Sequence, residues 1–169
     1  MYVHSLKGRR LTENTHWIIT GSVDNFRATR DHGFSVQGLK SRHRKKAEQM
    51  CPGDRITWYV TGIKAFAASA TVTSEYFEDH TPIWHSTNKK RAEETYPFRF
   101  NIRPDVVLDE ARFIDAEPVA RRLRYVSKWP EANWTLAFQG NIRPVDADDF
   151  TIIEDALRAA AREPAGVGD

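Results

Sequence analysis

The sequence predicts a mixed α+β domain whose sheet curls into a barrel-like form. Three observations carry this reading. Strand-like runs recur through the 169 residues, several with the two-residue alternation of a half-buried strand. Helix signals fall between them at irregular intervals, without the βαβ repeat of a doubly wound sheet and without a glycine-rich loop opening a helix. Strands connected in this way bury their edges most simply by curling.

Residues 1–15 read as a loose lead-in. Residues 16–21, HWIITG, are rich in β-formers. Ser22 is placed to cap a short helix over 24–32, with Gly33 past its end. Phe34, Ser35 and Val36 return as a short strand, and 37–44 form a polar basic loop before a helical turn through Ala47 and Met50. Pro52, Gly53 and Asp54 turn into a strand over 56–61, in which Ile56, Trp58 and Val60 face one way and Thr57, Tyr59 and Thr61 the other. A turn at Thr61 and Gly62 leads to a second strand over 65–73. Trp58 and Tyr59 therefore lie on opposite faces. One ring can enter the core; the other is expected over a cleft, where aromatic rings grip flat ligands such as bases.

Residues 75–94 form a long loop punctuated by Tyr76, Phe77 and Trp84, and a loop of that length inside a small domain is expected to be functional. In YPFRFNIR, residues 96–103, Phe98, Phe100 and Ile102 alternate with Arg99, Asn101 and Arg103 as in a half-buried strand, and Val106, Val107 and Leu108 form another candidate. A weak helix is expected over 116–123, with Pro118 in its first turn. Residues 133–138 fit strand or turn. The clearest helix covers 146–162: Asp146 can cap it, Asp149 suits its positive end, and Phe150, Ile153, Leu157 and Ala161 share a face. Pro164 and two glycines end it.

The length suits one domain with a real core, and 40% apolar with 28% charged residues is an ordinary soluble composition. The apolar runs are too short to span a bilayer, and the first residues lack the apolar stretch of a secretory signal. A lone cysteine, Cys51, excludes an internal disulfide and a multi-cysteine metal site. These features lead to an expectation of a cytoplasmic protein with no membrane partner. Net charge is only +2, but it is unevenly spread. Lys40, Arg42, Arg44, Lys45 and Lys46 crowd one loop with His43; Lys89, Lys90 and Arg91, and Arg121, Arg122 and Arg124, form further clusters. Acidic residues gather at 146–155. The basic loop is either a face that follows a phosphate backbone or a solvated surface.

Catalytic patterns are poor. None of the six histidines forms a helical metal pair, and only His80 and His85, with Asp79, share a loop. No P-loop or dinucleotide fingerprint is present, and neither a cofactor nor a metal is expected.

The segments HWIITGSVDNF, GFSV, the basic loop, PGDRITWYVTG, ATVTSEYFED, ETYPFRFNIRP and NWTLAFQGNIRPVDADDF, followed by a terminal helix, come in an order that resembles the EVE domain, a PUA-like family of small β-barrels. The domain is then expected over 16–162, with a tail over 163–169. The resemblance implies an α+β fold, a PUA-like curled β-barrel flanked by short helices, with a cleft for a nucleobase, similar to the YTH readers of methylated adenine. It implies a non-catalytic nucleic-acid-binding module reading a modified base in DNA or RNA.

On the positions that match the family's cleft, Ser22 offers its hydroxyl to a base edge. Phe34, with Ser35 and Val36, stands where related readers place a cage tryptophan, a departure from a full tryptophan cage. Tyr59 and Thr61 share the cleft face of the central strand; Trp84, Tyr96 and Pro97 approach from the long loop; Arg99 is placed to balance a phosphate or base carbonyl. The plainer readings stand beside these. Trp17, Trp58 and Phe100 read as core, and Trp134 and Phe138 as barrel floor. Trp84 fits a cleft wall or a plug, Ser22 a helix cap alone, and Tyr96–Pro97 a strand start alone. Two other functions compete: a PUA-like hydrolase of RNA or modified nucleosides, with Tyr59, Lys40 and Glu94 as its groups, and a small-ligand sensor or protein-interaction domain. A reader of this length leaves any effector protein to act in trans, and the sequence leaves the oligomeric state, the choice of DNA or RNA and the modification open.

Overall fold

The computed structural model describes residues 13–163. Most of the expected lead-in and all but the first residue of the expected tail lie outside the described residues. In chain order the elements are β1 (His16–Gly21), α1 (Val23–Asp31), β2 (Val36–Leu39), α2 (Arg44–Ala47), β3 (Arg55–Val60), β4 (Ala65–Val72), β5 (Phe77–Glu78), β6 (Phe98–Val107), β7 (Ile114–Asp115), α3 (Ala116–Ala120), β8 (Ile142–Val145) and α4 (Ala147–Arg162).

The strands form one curled sheet in the order β2-β6-β4-β3-β1-β8, with β5 added to β6 and β7 to β4. All ladders are antiparallel except β1 with β3. The barrel is open at one seam: no ladder joins β2 to β8 among the described residues. Side chains close it instead. The Lys40 amide donates to Asn141 Oδ1 at 2.9 Å, and Lys46 Nζ donates to the Ile142 carbonyl at 2.8 Å.

Alternation along β1 and β3 sorts residues into two cores. Trp17, Ile19, Ile56, Trp58 and Val60 point into the barrel with Phe100, while Ile18 and Tyr59 point outward. The outer face is not open to ligand. α4 covers it with Phe150, Ile153 and Leu157, and the 3-10 segment Glu131–Phe138 adds Trp134 and Phe138. Trp134 and Phe138 thus pack against the barrel's outside. Ala161 does not join the buried stripe of α4 and is exposed.

The Pro52-Gly53-Asp54 turn has a clear physical role. Gly53 takes φ +93°, where a side chain is strained. This lets the buried Asp54 carboxylate accept from the Thr15 amide at 3.0 Å, Trp17 Nε1 at 3.2 Å and the Cys51 amide at 3.2 Å. At the same end of the sheet, Arg55 Nη2 reaches Asp105 at 2.9 Å and Glu154 at 2.5 Å, tying α4 to the strands.

Other differences from the sequence reading are local. Residues 106 and 107 do not begin a new strand but continue β6 past Pro104, with a register shift opposite Ser69 and Ala70, and Leu108 follows its end. The segment 133–138 is neither strand nor simple turn, but 3-10 helix kinked at Asn133. β8 is short and carries Pro144 on an edge, so its alternation is hard to see in the sequence.

Candidate functional site

The site lies at the open seam. β1 ends at Gly21, and Ser22 caps α1 by accepting the Asn25 amide at 3.1 Å, so the start of α1 faces the gap between β2 and β8. Two connected cavities occupy it. The inner recess is walled by Phe26, Trp58, Trp84 and Tyr96, with Gln37, Asn25, Asn141 and Ser22 among its polar groups. Its inner space has room for little more than a water molecule. It opens into a vestibule of about 440 Å³, bordered by Lys40, Arg42, Thr61, His85, Gln139 and Gly140. Thr20, Gly21, Ser22, Asn25, Tyr96 and Asn141 line both.

A buried polar chain braces the inner wall of the recess. Trp84 Nε1 donates to Thr29 Oγ1 at 2.9 Å, Thr29 Oγ1 donates to Gln37 Oε1 at 3.0 Å, and Trp58 Nε1 donates to the same oxygen at 2.9 Å. Gln37 Nε2 donates to the Gly38 carbonyl at 2.9 Å. At the mouth, Asn25 pairs with the His85 backbone at 2.9 and 3.0 Å and donates to the Tyr96 hydroxyl at 3.3 Å. The loop carrying Trp84 is therefore fastened at two points. Gly38 permits this approach, since a Cβ there would lie 2.6 Å from Trp84 Cζ3 and 2.7 Å from the Tyr96 carbonyl.

The structure gathers Ser22, Tyr59, Trp84 and Tyr96 around the recess, and Ser22, Thr61, Lys40 and Arg42 around the vestibule. Trp84 combines the two roles weighed for it: it is 1% exposed and plugs the barrel against β2, yet it walls the recess. Ser22 both caps α1 and lines the cleft. Tyr96, at φ +51°, presents its ring to both cavities, with Lys40 Nζ 5.9 Å from the ring centre. Burial raises the Tyr96 hydroxyl above its usual pKa, so it stays protonated and can donate to a ligand.

Five of the expected cleft residues are placed otherwise. Phe34 packs inside the barrel on Phe26 at 5.6 Å and Trp58 at 6.0 Å between ring centres; its positive φ of 51° turns it inward. Ser35 is exposed on the far side of β2, its hydroxyl donating to the His32 carbonyl at 2.7 Å, and Val36 follows it into the ladder with β6. Pro97 is buried beside β5, its carbonyl accepting from the Asp79 amide at 2.9 Å. Arg99 is 1% exposed and caged by carbonyls: Nε donates to Tyr96 at 3.1 Å, and Nη2 donates to Thr95 at 3.1 Å and to Thr81. With Nη1 also 3.4 Å from Asp79, a guanidinium so enclosed holds the loop, and it lines neither cavity of the cleft.

Tyr59 borders the recess, but its ring belongs to the outer core, stacked on Phe138 at 4.3 Å and 7°. That burial raises its hydroxyl to about 12. Tyr59, Lys40 and Glu94 are not assembled as a reacting set. Glu94 lines neither cavity and is occupied by the Ser41 amide at 2.7 Å, the Ser41 hydroxyl and the Tyr96 amide at 3.1 Å. His80 pairs with Glu78 and Thr95, and His85 lines the vestibule; no metal-binding group of His, Cys, Asp and Glu occurs among the described residues.

The basic loop divides. Lys40 and Arg42 border the vestibule, Lys46 sits on the seam, and Arg44 and Lys45 are exposed away from the cleft, Arg44 against Glu48 at 3.2 Å. Burial and Arg42 lower the Lys40 pKa; burial, Arg143 and Arg42 lower that of Lys46. His43, between them, falls from 6.5 to about 4 through burial and then the charges of Lys46, Arg42 and Lys40, against which Glu94 acts weakly. Between those two values the unfolded chain binds the extra proton, so stability should fall as pH drops from 6.5 toward 4. His43→Asn should remove part of that slope, measured as denaturant midpoints at successive pH values. His16, lowered by burial and Arg55, keeps its own share in both proteins. Equal slopes for the variant and the parent would contradict the assignment.

The most polar part of the recess was not legible in the sequence. Asn25 reads there as a helix residue, Gln37 as loop, and Asn141 only as one residue of the segment before the terminal helix. The only local signal is the amide type itself, a side chain that both donates and accepts.

A family model described as EVE domain matches residues 15–156. The UPF0310 protein PH1033 of Pyrococcus horikoshii is 26% identical over 153 residues, covering 85% of this chain and 99% of that protein. The YTH domain of the Zygosaccharomyces rouxii MRB1 protein, solved in complex with N6-methyladenosine RNA, superposes with a TM-score of 0.57 at 16% identity, covering 94% of this chain and 91% of that one. Human THYN1, solved in complex with 5-methylcytosine-containing DNA, gives 0.52 at 15% identity, covering 89% of this chain and all of that one.

Proposed function

The chain belongs to the EVE domain family, and from that premise we propose that it is a non-catalytic module that takes one modified base of DNA or RNA into the seam cleft. The observation that carries this reading is the two-part cleft itself. An aromatic-walled recess with amide donors and acceptors opens into a vestibule edged by two cations. A flat base suits the first and its phosphates suit the second. Relatives of the same fold bound to N6-methyladenosine RNA and to 5-methylcytosine DNA support the class of ligand.

The wall in this reading is Trp84, Tyr96 and Trp58, with Ser22, Asn25, Gln37 and Asn141 reading the base edge. The recess is too tight for a base as it stands, so entry shifts the Tyr96 ring, the wall shared with the vestibule. Methyl recognition adds only about 0.8 kcal/mol of burial, so discrimination falls to fit and to amide groups that a wrong base leaves unpaired.

Titration of the protein with a panel of modified nucleosides should quench tryptophan fluorescence, because Trp58 and Trp84 wall the recess. Tyr96→Ala should weaken that binding by about 1–3 kcal/mol, the worth of one stacking platform. Lys40→Gln with Arg42→Gln should leave an uncharged nucleoside's affinity unchanged. For a modified single strand, the same pair should lower the salt slope by about 0.7 per lost phosphate contact. If no nucleoside of the panel binds and no modified strand is preferred over its unmodified twin, the reading fails. Turnover of any panel member, found by mass spectrometry, would favour the hydrolase instead.

A further inference from the structure

Beyond the vestibule, a line of cations interleaved with rings crosses the seam. Arg42 borders the vestibule. Lys46 is anchored on the Ile142 carbonyl at 2.8 Å, close enough to Arg42 and Arg143 for their charges to lower its pKa. Arg143 Nε donates to the carbonyl of Gln139, a vestibule residue, at 2.6 Å, and its guanidinium lies 5.8 Å from the Trp129 ring centre. Trp129 meets Tyr125 at 5.2 Å between centres, and Lys128 Nζ lies 5.9 Å over the Tyr125 ring.

Two features set this line apart from an ordinary charged surface. Arg42, Lys46 and Arg143 have no carboxylate within ion-pair distance among the described residues, as holds for other surface cations such as Lys45 and Arg122, but these three also crowd one another: Lys46 lies within reach of the charges of both arginines. Like charges held together without a counter-ion repel, and an anion laid along them relieves that repulsion. Trp129 and Tyr125 are also only half-buried, although Tyr59, Phe66, Trp134, Phe138 and Phe150 of the same outer core are buried. Cations that follow a backbone beside rings that stack bases are the signature of single-strand binding; duplex bases, already stacked, have no face to offer.

We infer that Arg42, Lys46 and Arg143, with the Trp129–Tyr125 ring pair, form a second subsite that holds the nucleotide flanking the cleft on a single strand. It rests on the cleft reading above for its direction. The phosphate next to the cleft nucleotide meets Arg42 and Lys46, the following one meets Arg143, and the flanking base stacks on Trp129. No base edge is read there, so the subsite is indifferent to sequence and to modification.

The test uses fluorescence anisotropy with a fluorescein-labelled, unmodified oligothymidylate of about 12 nucleotides, alone and annealed to its complement. The protein should prefer the single strand. Trp129→Ala should weaken its binding about tenfold, and Trp129→Phe should restore most of that loss. Arg143→Gln should lower the salt slope by about 0.7. Neither change should alter binding of a neutral modified nucleoside. Variants that melt as the parent does yet bind the oligothymidylate with parental affinity and salt dependence would overturn the subsite. So would an equal or stronger affinity for the duplex. Should Trp129→Ala fail to fold, Arg143→Gln decides alone, since Arg143 is only half-buried and glutamine keeps a donor for the Gln139 carbonyl. The two readings fail separately. Nucleoside binding with an oligothymidylate affinity indifferent to Arg143→Gln sinks the subsite and spares the cleft. Oligothymidylate binding that depends on Arg143, with every nucleoside unbound, sinks the cleft and supports the subsite.

Discussion

Replacing Trp84 with alanine should destabilise the fold by about 3–5 kcal/mol, the range for removing a large buried aromatic ring. At this chain length that lowers the melting temperature by about 10 °C or more. A tryptophan in a long surface loop invites the opposite expectation, that its loss touches binding alone. Burial decides the matter: Trp84 is 1% exposed, packed on Gly38 and held through Nε1 on Thr29 at 2.9 Å. Its loss leaves a cavity beside the barrel and breaks the polar chain to Gln37 and Trp58. Trp84→Phe separates the two effects, because it keeps a ring but loses the N–H, and should cost less than half as much. Thermal melts and denaturant titrations of both variants are the measurement. A Trp84→Ala protein as stable as the parent would mean that the ring lies on the surface. Binding comparisons at this position need that control first, since a partly unfolded variant loses affinity for reasons unrelated to stacking.

Arg99→Met should cost about 3 kcal/mol or more, again through the loop rather than through a ligand. Three carbonyls, of Thr81, Thr95 and Tyr96, point at this guanidinium, and its plane lies 5.1 Å from the Trp84 ring centre. Methionine fills the volume but leaves those buried acceptors without a donor. The pairing with Asp79 at 3.4 Å adds little, because Asp79 is 44% exposed. Arg99→Lys should recover only a small part, since one ammonium cannot satisfy a fork of carbonyls. Oligonucleotide salt dependence discriminates this role from phosphate contact. Arg99→Lys, measured where it is folded, should leave the salt slope unchanged, whereas Lys40→Gln and Arg42→Gln lower it. A lowered slope in Arg99→Lys would put Arg99 back on the phosphate path.

Two parts of the recess depend on these same residues. Gly38 and Arg99 pair across β2 and β6, one by having no side chain and the other by filling a cage, and together they seat the loop that carries Trp84 and Tyr96. Stability of the loop and shape of the cleft are therefore one property. Substitutions that loosen the loop should weaken binding even where they touch no ligand.

Local chemistry made much of the fold readable. Alternation placed Trp58 and Tyr59 on opposite faces of β3, Ser22 and Gly33 bracketed α1, and Asp146 with the Phe150, Ile153 and Leu157 spacing marked α4, because caps and periodicities are set by residues within a turn or two of each other. The order of those segments also sufficed for the family. Tertiary structure decided which faces are walls. Tyr59 lost its place as a ligand platform because α4 and the 131–138 segment, some seventy or more residues away in sequence, cover the outer face of the sheet and stack Phe138 on it. Phe34 went inward on a positive φ, and Arg99 was caged by a loop that the strand pattern around it does not describe. Asn25, Gln37 and Asn141 met only when the sheet curled and brought β2 and β8 to one seam. A sequence encodes what each residue can do and which face of its own element it occupies; whether that face meets water, a second core or a cleft is fixed by distant segments, whose packing no local pattern contains.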